Sequence, residues 1–225
     1  VQVILNLGLS RQIPVEIVRT DRRKTVAFSV IEEQVRIVVP KRLSEKRIQE
    51  LIQRKTPWIR RKLQIQSTIP PVRPKEYVSG ESFTYMGRNY RLKVLEGSSD
   101  GVKLQNGQLV VRIPKNVQGK KKIDRVETQL KHWYINHAQE KMTEKTRRYA
   151  EILGVRPDTV AVRDYKSRWG SCSVKGEIKY NWKIIIAPNH IIDYVVVHEL
   201  SHMRYPNHSR DFWRYVGRVI PDYRE

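Results

Sequence analysis

The sequence lacks the features that mark secreted and membrane proteins. A single cysteine among 225 residues excludes an intramolecular disulfide framework and suits a reducing cytosol. No apolar run approaches the roughly 20 residues that a bilayer-spanning helix needs. Residues 1–6 lack the basic and apolar regions of a secretory signal. We therefore predict a cytoplasmic protein that does not insert into a membrane.

Acidic residues are scarce relative to basic ones. The chain has 23 Asp and Glu against 44 Lys and Arg, which gives a formal net charge of +21. Such a surface attracts polyanions, so non-specific nucleic acid or another polyanion is an expected partner. The alternative is a basic surface that only keeps the protein in solution. Because the cations are dispersed along the chain, their charge favours electrostatic steering over sequence recognition.

The chain is predicted to contain two regions. Residues 1–74 indicate an N-terminal α+β region of strands and short helices, which ends in the proline-rich linker Ile69–Pro74. Residues 75–225 are expected to contain a second set of strands, a long helix from about Lys121 to Leu153, and a catalytic core.

Capping residues and prolines predict where the helices begin and end. Ser44 is expected to cap one helix, and Thr56-Pro57 to start a new, short one. Gly154 is expected to end the long helix, as a glycine directly after a helix often does. Pro206 is expected to close a helix that begins near Pro188.

Two segments of the chain resemble each other. Val35–Lys41 and Leu109–Lys115 are both β-branched runs that end in Pro-Lys, and each is followed by a tryptophan on a basic helix, Trp58 or Trp133. Either a strand–helix unit was duplicated, or two hairpin-plus-helix segments are similar by chance.

The last third of the chain predicts a hairpin followed by a helix. One strand is expected from Val160 through Ser173, a turn at Val174–Glu177, and a return strand from Ile178 to Ala187. The apolar run that follows Pro188 favours a buried helix.

That helix carries the motif His198-Glu199-Leu200-Ser201-His202. Positions i and i+4 of a helix lie on one face, so both imidazoles can reach one metal ion. The carboxylate of Glu199 would then be close enough to activate the attacking water. Two histidines that only form hydrogen bonds in the core are the alternative.

Catalytic zinc sites use three protein ligands and one open position. His208 follows His202 at the spacing of the metzincin signature, although Tyr205 replaces the glycine of that signature. We predict His208 as the third ligand of one zinc ion, on ligand type and reach. The rival third ligands are acidic: Asp211, Asp222 and Glu225.

Two further residues are candidates for catalysis. Arg168 could neutralise an oxyanion or bind a phosphate, or it could form a structural ion pair. Tyr205 could donate a hydrogen bond to an oxyanion, or it could only pack in the turn. We expect the three tryptophans of this region to pack in the core: Trp169, Trp182 and Trp213.

Several of these segments, taken together, resemble the YgjP-like metallopeptidase family, which is related to the SprT-like zincins. They are Arg168–Cys172, the hairpin through Asn181, His198–His202, Asn207–Ser209, Phe212-Trp213 and the basic helix Trp58–Leu63. The resemblance implies an α+β fold, in which a zincin-like core packs its active-site helix on a small antiparallel sheet or hairpin behind an N-terminal α+β extension. It also implies that the three histidines bind zinc.

The leading functional hypothesis is therefore a zinc-dependent, metallopeptidase-like hydrolase that binds an extended peptide along an edge strand. A nucleotide phosphohydrolase that uses the same site is the first alternative, because the strong positive charge suits an anionic substrate. A nucleic-acid-associated, SprT-like protease is the second. Peptide and phosphoanhydride hydrolysis need nearly the same metal ligands, so the motif does not separate them.

Overall fold

The computed structural model describes residues 2–6, 12–21, 25–31, 34–68, 74–98 and 100–223. The chain divides into two units, Val1–Pro74 and Lys75–Glu225. The predicted linker Ile69–Pro74 lies almost entirely outside the described residues. None of the helices in the described part of the chain combines the length and hydrophobicity that crossing a membrane requires.

The first unit contains a four-stranded sheet and one helix. The strands are β1 (Gln2–Asn6), β2 (Gln12–Thr20), β3 (Ala27–Ile31) and β4 (Gln34–Pro40), in the order β1-β2-β4-β3. Alternate residues of β4, namely Val35, Ile37 and Val39, are buried, as the two-residue period of a strand predicts. They share one core with the buried residues of the helix α1 (Glu45–Thr68), which are Ile48, Ile52, Ile59 and Leu63.

Helix α1 is continuous through Pro57, so the prediction of two shorter helices is wrong. A proline within a helix removes one backbone hydrogen bond and usually kinks or ends the helix. Here the hydroxyl of Thr56 donates to the carbonyl of Ile52 at 2.9 Å, within the turn that the proline disturbs. Buried residues on both sides of Pro57 pack into the same core, and this packing outweighs the local preference.

The second unit begins with a sheet that has the topology of the first. Its strands are β5 (Ser82–Tyr85), β6 (Arg88–Gly97), β7 (Gly101–Gln105) and β8 (Gln108–Pro114), in the order β5-β6-β8-β7. In both sheets the three pairings are antiparallel, parallel and antiparallel in the same sequence. The fourth strand of each sheet ends in a proline and precedes a long helix. This shared topology favours duplication over chance similarity.

The helix α2 (Gly119–Leu153) follows, close to its predicted range. It packs against β8 and against the elements that follow it in the chain. The buried hydroxyl of Thr146 lies 2.9 Å from that of Tyr180, and Tyr215 donates a hydrogen bond to the carbonyl of Leu153. Gly154 ends the helix in a left-handed conformation (φ 65°), as predicted.

The third sheet differs from the predicted hairpin. Its strands are β9 (Thr159–Arg163), β10 (Gly170–Cys172) and β11 (Glu177–Asn181), in the order β10-β11-β9. The expected single strand from Val160 to Ser173 is two strands on opposite sides of β11, one parallel and one antiparallel to it. A loop, residues 164–169, crosses from one side to the other.

The return strand is also shorter than expected. It ends at Asn181, whose side chain accepts a hydrogen bond from the backbone N–H of Lys183 at 3.2 Å and so caps a 3-10 helix, Trp182–Ile186. The chain continues into α3 (Asn189–Ser201) and α4 (Arg210–Gly217). The architecture is α+β, with α3 packed against β10 and α2.

Candidate metal centre

Helix α3 is held firmly enough to position functional side chains. Five of its apolar residues are buried: Ile192, Val195, Val196, Val197 and Leu200. Ser201 is also fully buried, and its hydroxyl donates to the carbonyl of Val197 at 2.7 Å, so the burial leaves this group satisfied. His198 and His202, one turn apart near the end of this helix, lie with their ring centroids 5.0 Å apart.

The chain reverses directly after α3 and brings His208 to the same place. The backbone N–H of Tyr205 donates to the carbonyl of Ser201, which closes the turn, and the Ser209 hydroxyl caps α4. Phe212, fully buried on α4, lies with its ring centroid 4.7–5.0 Å from those of all three imidazoles. The Nε2 atoms of His208 and His198 consequently lie 3.0 Å apart.

This geometry fits a metal ion. Ligand nitrogens of His198, His202 and His208 all lie within 4.8 Å of one another. Tetrahedral zinc with Zn–N bonds of about 2.0–2.1 Å places two ligand nitrogens roughly 3.3 Å apart, close to the 3.0 Å observed. Burial lowers the pKa of His198 to about 4, and burial also lowers the pKa of His202, so both rings are neutral near pH 7 and can ligate a cation.

The outer contacts of the two helical histidines differ. His202 Nδ1 lies 3.1 Å from the carbonyl of Tyr205, a contact that places the proton on Nδ1 and leaves Nε2 free for a metal. His198 Nδ1 is buried and has no hydrogen-bond partner among the described residues. Its orientation depends instead on ring contacts with Phe212 and Trp213.

Glu199 lies in the same cavity and is almost completely buried, with 7% of its surface exposed. Burial raises the pKa of its carboxyl group from 4.5 to about 7, and the positive charge of Arg168 partly opposes this rise. A carboxylate with a pKa near neutral can both take and return a proton at physiological pH, as a general base must.

Gly170 makes room for this carboxylate, a role that the sequence analysis missed. A Cβ atom at this position would lie 2.6 Å from both Cγ and Oε1 of Glu199 and 2.7 Å from Cδ. Any residue larger than glycine at position 170 would therefore displace Glu199. An isolated glycine inside a strand does indicate close approach of another group, and this was the signal available.

The cavity, of about 640 Å³, lies between α3, the chain reversal and the edge strand β10. Two backbone hydrogen bonds flank β10: the N–H of Asn181 donates to the carbonyl of Trp169, and the N–H of Ser173 donates to the carbonyl of Glu177. The residues that bond to β11 are therefore the odd-numbered ones. In an antiparallel pair the intervening residues direct their N–H and C=O groups away from the partner. Within the described part of the chain, the backbone groups of Gly170 and Cys172 therefore lie unpaired at the sheet edge.

Arg168 lines the cavity at the end of the 164–169 loop, with its side chain exposed and its guanidinium 5.5 Å from the ring centroid of Tyr165. Asn181, only 5% exposed, anchors this loop: its amide nitrogen donates to the carbonyls of Tyr165 at 2.9 Å and Arg168 at 3.1 Å. No ion pair of Arg168 occurs within the described residues, so its charge faces the cavity and the solvent.

Several candidates lie away from the cavity. The described residues that line it do not include Tyr205, whose ring packs edge-on against Tyr215 and whose carbonyl supports His202. Asp211 pairs with Arg214 at 2.9 Å, and Glu225 lies outside the described residues. Trp169 is 55% exposed, so the prediction that it packs in the core is wrong.

Comparison with known proteins identifies the family of the chain. The family profile described as "YgjP-like, metallopeptidase domain" matches residues 24–225, most of the chain. The chain belongs to the YgjP-like metallopeptidase family. This membership confirms the family suggested by the sequence motifs and the predicted class of an α+β fold with a zincin-like core.

One solved structure with detectable similarity is the metallopeptidase zymogen of Pyrococcus abyssi, abylysin. It is 27% identical over 36% of this chain and 80% of that chain, with a TM-score of 0.34. A TM-score this low does not establish a common fold. No curated protein matches the chain significantly.

Proposed function

We propose that this YgjP-like protein is a zinc-dependent peptidase in which His198, His202 and His208 hold one zinc ion and Glu199 is the general base. The observation that carries the proposal is the convergence of three imidazoles, two of them with Nε2 atoms 3.0 Å apart, beside a buried carboxylate in one cavity. Zinc bound there would supply a Lewis acid that polarises the scissile carbonyl.

The chain's own residues account for the rest of the reaction. Glu199 accepts a proton from the attacking water and returns it to the leaving amine, because its carboxylate lies in the same cavity as the three imidazoles. Arg168, with its cation at the cavity, stabilises negative charge that develops on the substrate oxygen.

The edge strand β10 gives the substrate its alignment. The free N–H and C=O groups of Gly170 and Cys172 can pair with an extended peptide, as strands pair in β-augmentation. The peptide would then run alongside Glu199, because Gly170 is in close contact with that carboxylate. The neighbouring strand β11 cannot take this role, because it is paired on both sides, with β10 and with β9.

The metal assignment is tested by measuring zinc content after dialysis, for the native chain and for two alanine variants. His208→Ala should lose most of its bound zinc, because only two ligands remain. His190→Ala is the control, since His190 is exposed on α3, the helix of His198, but is not part of the three-histidine cluster. Equal zinc content in both variants would remove His208 from the site.

A second candidate, hydrolysis of a nucleotide phosphoanhydride, is favoured by one specific observation. Among the described residues that line the cavity, Glu199 is the one acidic residue, while Arg168 contributes a cation, so a polyphosphate meets little repulsion there. Turnover of the zinc-loaded chain on unfolded proteins and on nucleoside triphosphates separates the two reactions. Cleavage of nucleotides with inert protein substrates would replace the peptidase proposal.

A further inference from the structure

The outward face of helix α1 carries more positive charge than the packing of its unit requires. The helix buries Ile48, Ile52, Ile59 and Leu63 in the core of the first unit. Four cations of the helix are exposed, and we call them the cation stripe: Arg54, Lys55, Arg61 and Lys62. Lys55 and Lys62 border the buried face, because they follow Ile48 at seven-residue spacing, whereas Arg54 and Arg61 lie farther from it. Arg54 pairs with Arg61, and Lys55 with Lys62. The two members of each pair are seven residues apart, so they lie almost on one line along the helix, separated by about 10.5 Å of helix axis.

No local interaction explains these charges. Residues 51–68 contain no Asp or Glu, and none of the four cations forms an ion pair within the described residues. The two carboxylates of the helix, Glu45 and Glu50, are already paired with Arg19 and Arg47. Compensation of the helix dipole needs cations in the last turn, and the last turn of α1 has none.

Apolar side chains lie between the two pairs of cations. Leu51, Trp58 and Ile65 follow the same seven-residue spacing, along a line between Arg54/Arg61 and Lys55/Lys62. Trp58 is partly buried against the core of the unit, and Ile65 is 44% exposed. The face therefore combines an indole and a small apolar strip with cations on both sides.

We propose that the cation stripe binds the phosphodiester backbone of a single-stranded nucleic acid, with Trp58 available to stack on an unpaired base. Interfaces with nucleic acid are strongly positive, and sequence-independent binding of single strands combines cations along the backbone with aromatic side chains for the bases. The net charge of +21 would attract such a polyanion over a longer range.

Other partners fit this face less well. Protein interfaces are depleted in lysine at their centres. A membrane-surface helix inserts a broad apolar face, but the apolar face of α1 is already buried against its own sheet. The stripe belongs to the first unit and uses none of the residues of the metal centre, so this inference does not rest on the proposed function.

The test compares two variants of the full chain that have the same net charge. The stripe variant combines Arg54→Gln, Lys55→Gln, Arg61→Gln and Lys62→Gln. The control variant makes four matching changes at exposed cations of the second unit that lack ion pairs within the described residues: Arg88→Gln, Arg147→Gln, Lys103→Gln and Lys115→Gln. Circular dichroism and zinc content verify that each variant is folded.

Binding is measured by fluorescence anisotropy with labelled oligo(dT) and oligo(U), between about 50 and 200 mM salt. Loss of four phosphate contacts should make the slope of log K against log salt shallower by about 3 in the stripe variant, and should weaken binding on the order of a hundredfold near 0.1 M salt. The control variant should bind within a few-fold of the native chain. Equal weakening in both variants would overturn the proposal, because general charge would then explain the binding.

Two further measurements test the choice of partner. Trp58→Phe should retain the preference for single-stranded over duplex oligonucleotides, whereas Trp58→Leu should lose it. Polyglutamate and anionic phosphatidylserine vesicles serve as competitors of equal charge concentration. If either of these two competitors displaces the labelled oligonucleotide as effectively as unlabelled oligo(dT), the surface is not specific for nucleic acid and the proposal fails.

Discussion

Substitution of Gly170 by alanine tests whether the edge strand positions the carboxylate of Glu199. The new Cβ would lie 2.6–2.7 Å from three atoms of that side chain, whereas ordinary carbon contacts are about 3.5–4.0 Å. Either Glu199 or the strand must therefore move by about 1 Å. A displacement of this size at a reacting group can cost about 10²-fold in rate.

The assay is turnover of the zinc-loaded chain, with zinc content and urea unfolding measured in parallel. We expect Gly170→Ala to reduce kcat about 100-fold, with the zinc content unchanged because none of the histidines is touched. Overpacking should lower the free energy of unfolding by about 1–3 kcal/mol. Addition of Glu199→Asp, which shortens the side chain, should recover part of this stability, since the two positions are in contact.

The matched control is Gly101→Ala, on strand β7, where a Cβ meets nothing within 4 Å. This change should leave kcat and zinc content unaltered. If Gly170→Ala were as active as Gly101→Ala, the close contact between β10 and Glu199 would have no catalytic importance, and the positioning argument would be refuted.

Three further outcomes follow from the structure. Burial raises the folded-state pKa of Glu199 from 4.5 to about 7, so the folded metal-free chain holds more protons than the unfolded one and loses stability as pH rises between these values. The lowered pKa values of His198 and His202 act in the opposite direction, but they do so in the native chain and in Glu199→Gln alike. The stability of the native chain relative to that of Glu199→Gln, measured by urea unfolding, should therefore fall by about 3 kcal/mol as pH rises from 4.5 to 7. Asn181→Ala should free the carbonyls of Tyr165 and Arg168, lower stability by about 1–3 kcal/mol and expose the 164–169 loop to limited proteolysis; an unchanged cleavage pattern would contradict the anchoring role. Tyr205→Phe should keep native kcat, because Tyr205 supports His202 through its backbone carbonyl; a large loss would assign its hydroxyl to catalysis.

The sequence predicted that His198, His202 and His208 would lie close together, because this placement depends on local spacing. His198 and His202 needed only a helix to share one face. His208 needed a chain reversal, which the sequence predicted at Pro206; the helix in fact ends at Ser201, and the reversal begins there. The placement of these three imidazoles together is a property of about ten consecutive residues. Their role as metal ligands stays a prediction until zinc binding is measured.

The errors lie where tertiary packing decides the outcome. Pro57 predicted a break, yet the core on both sides keeps α1 continuous. The run from Val160 to Ser173 contains enough β-forming residues for one strand, but it separates into β9 and β10 on opposite sides of β11. Which strand pairs with which depends on contacts between distant segments, and a local propensity does not contain this information.

The role of Gly170 shows a different limit. A glycine has no side-chain chemistry to identify, and its importance here comes from the volume that Glu199 occupies, 29 residues later in the chain. Only the relative placement of β10 and α3 reveals it. By contrast, the repeated strand–Pro-Lys pattern of the sequence already indicated that the two four-stranded sheets are related.

The most direct test of the account is the turnover and zinc content of Glu199→Gln, measured on the same preparation. Glutamine keeps the size of the side chain but cannot accept the proton, so we predict one zinc ion per chain and a fall in kcat of about 10²–10⁴-fold. Full zinc content with native turnover would contradict the assignment of Glu199 as the general base, whichever substrate the protein hydrolyses.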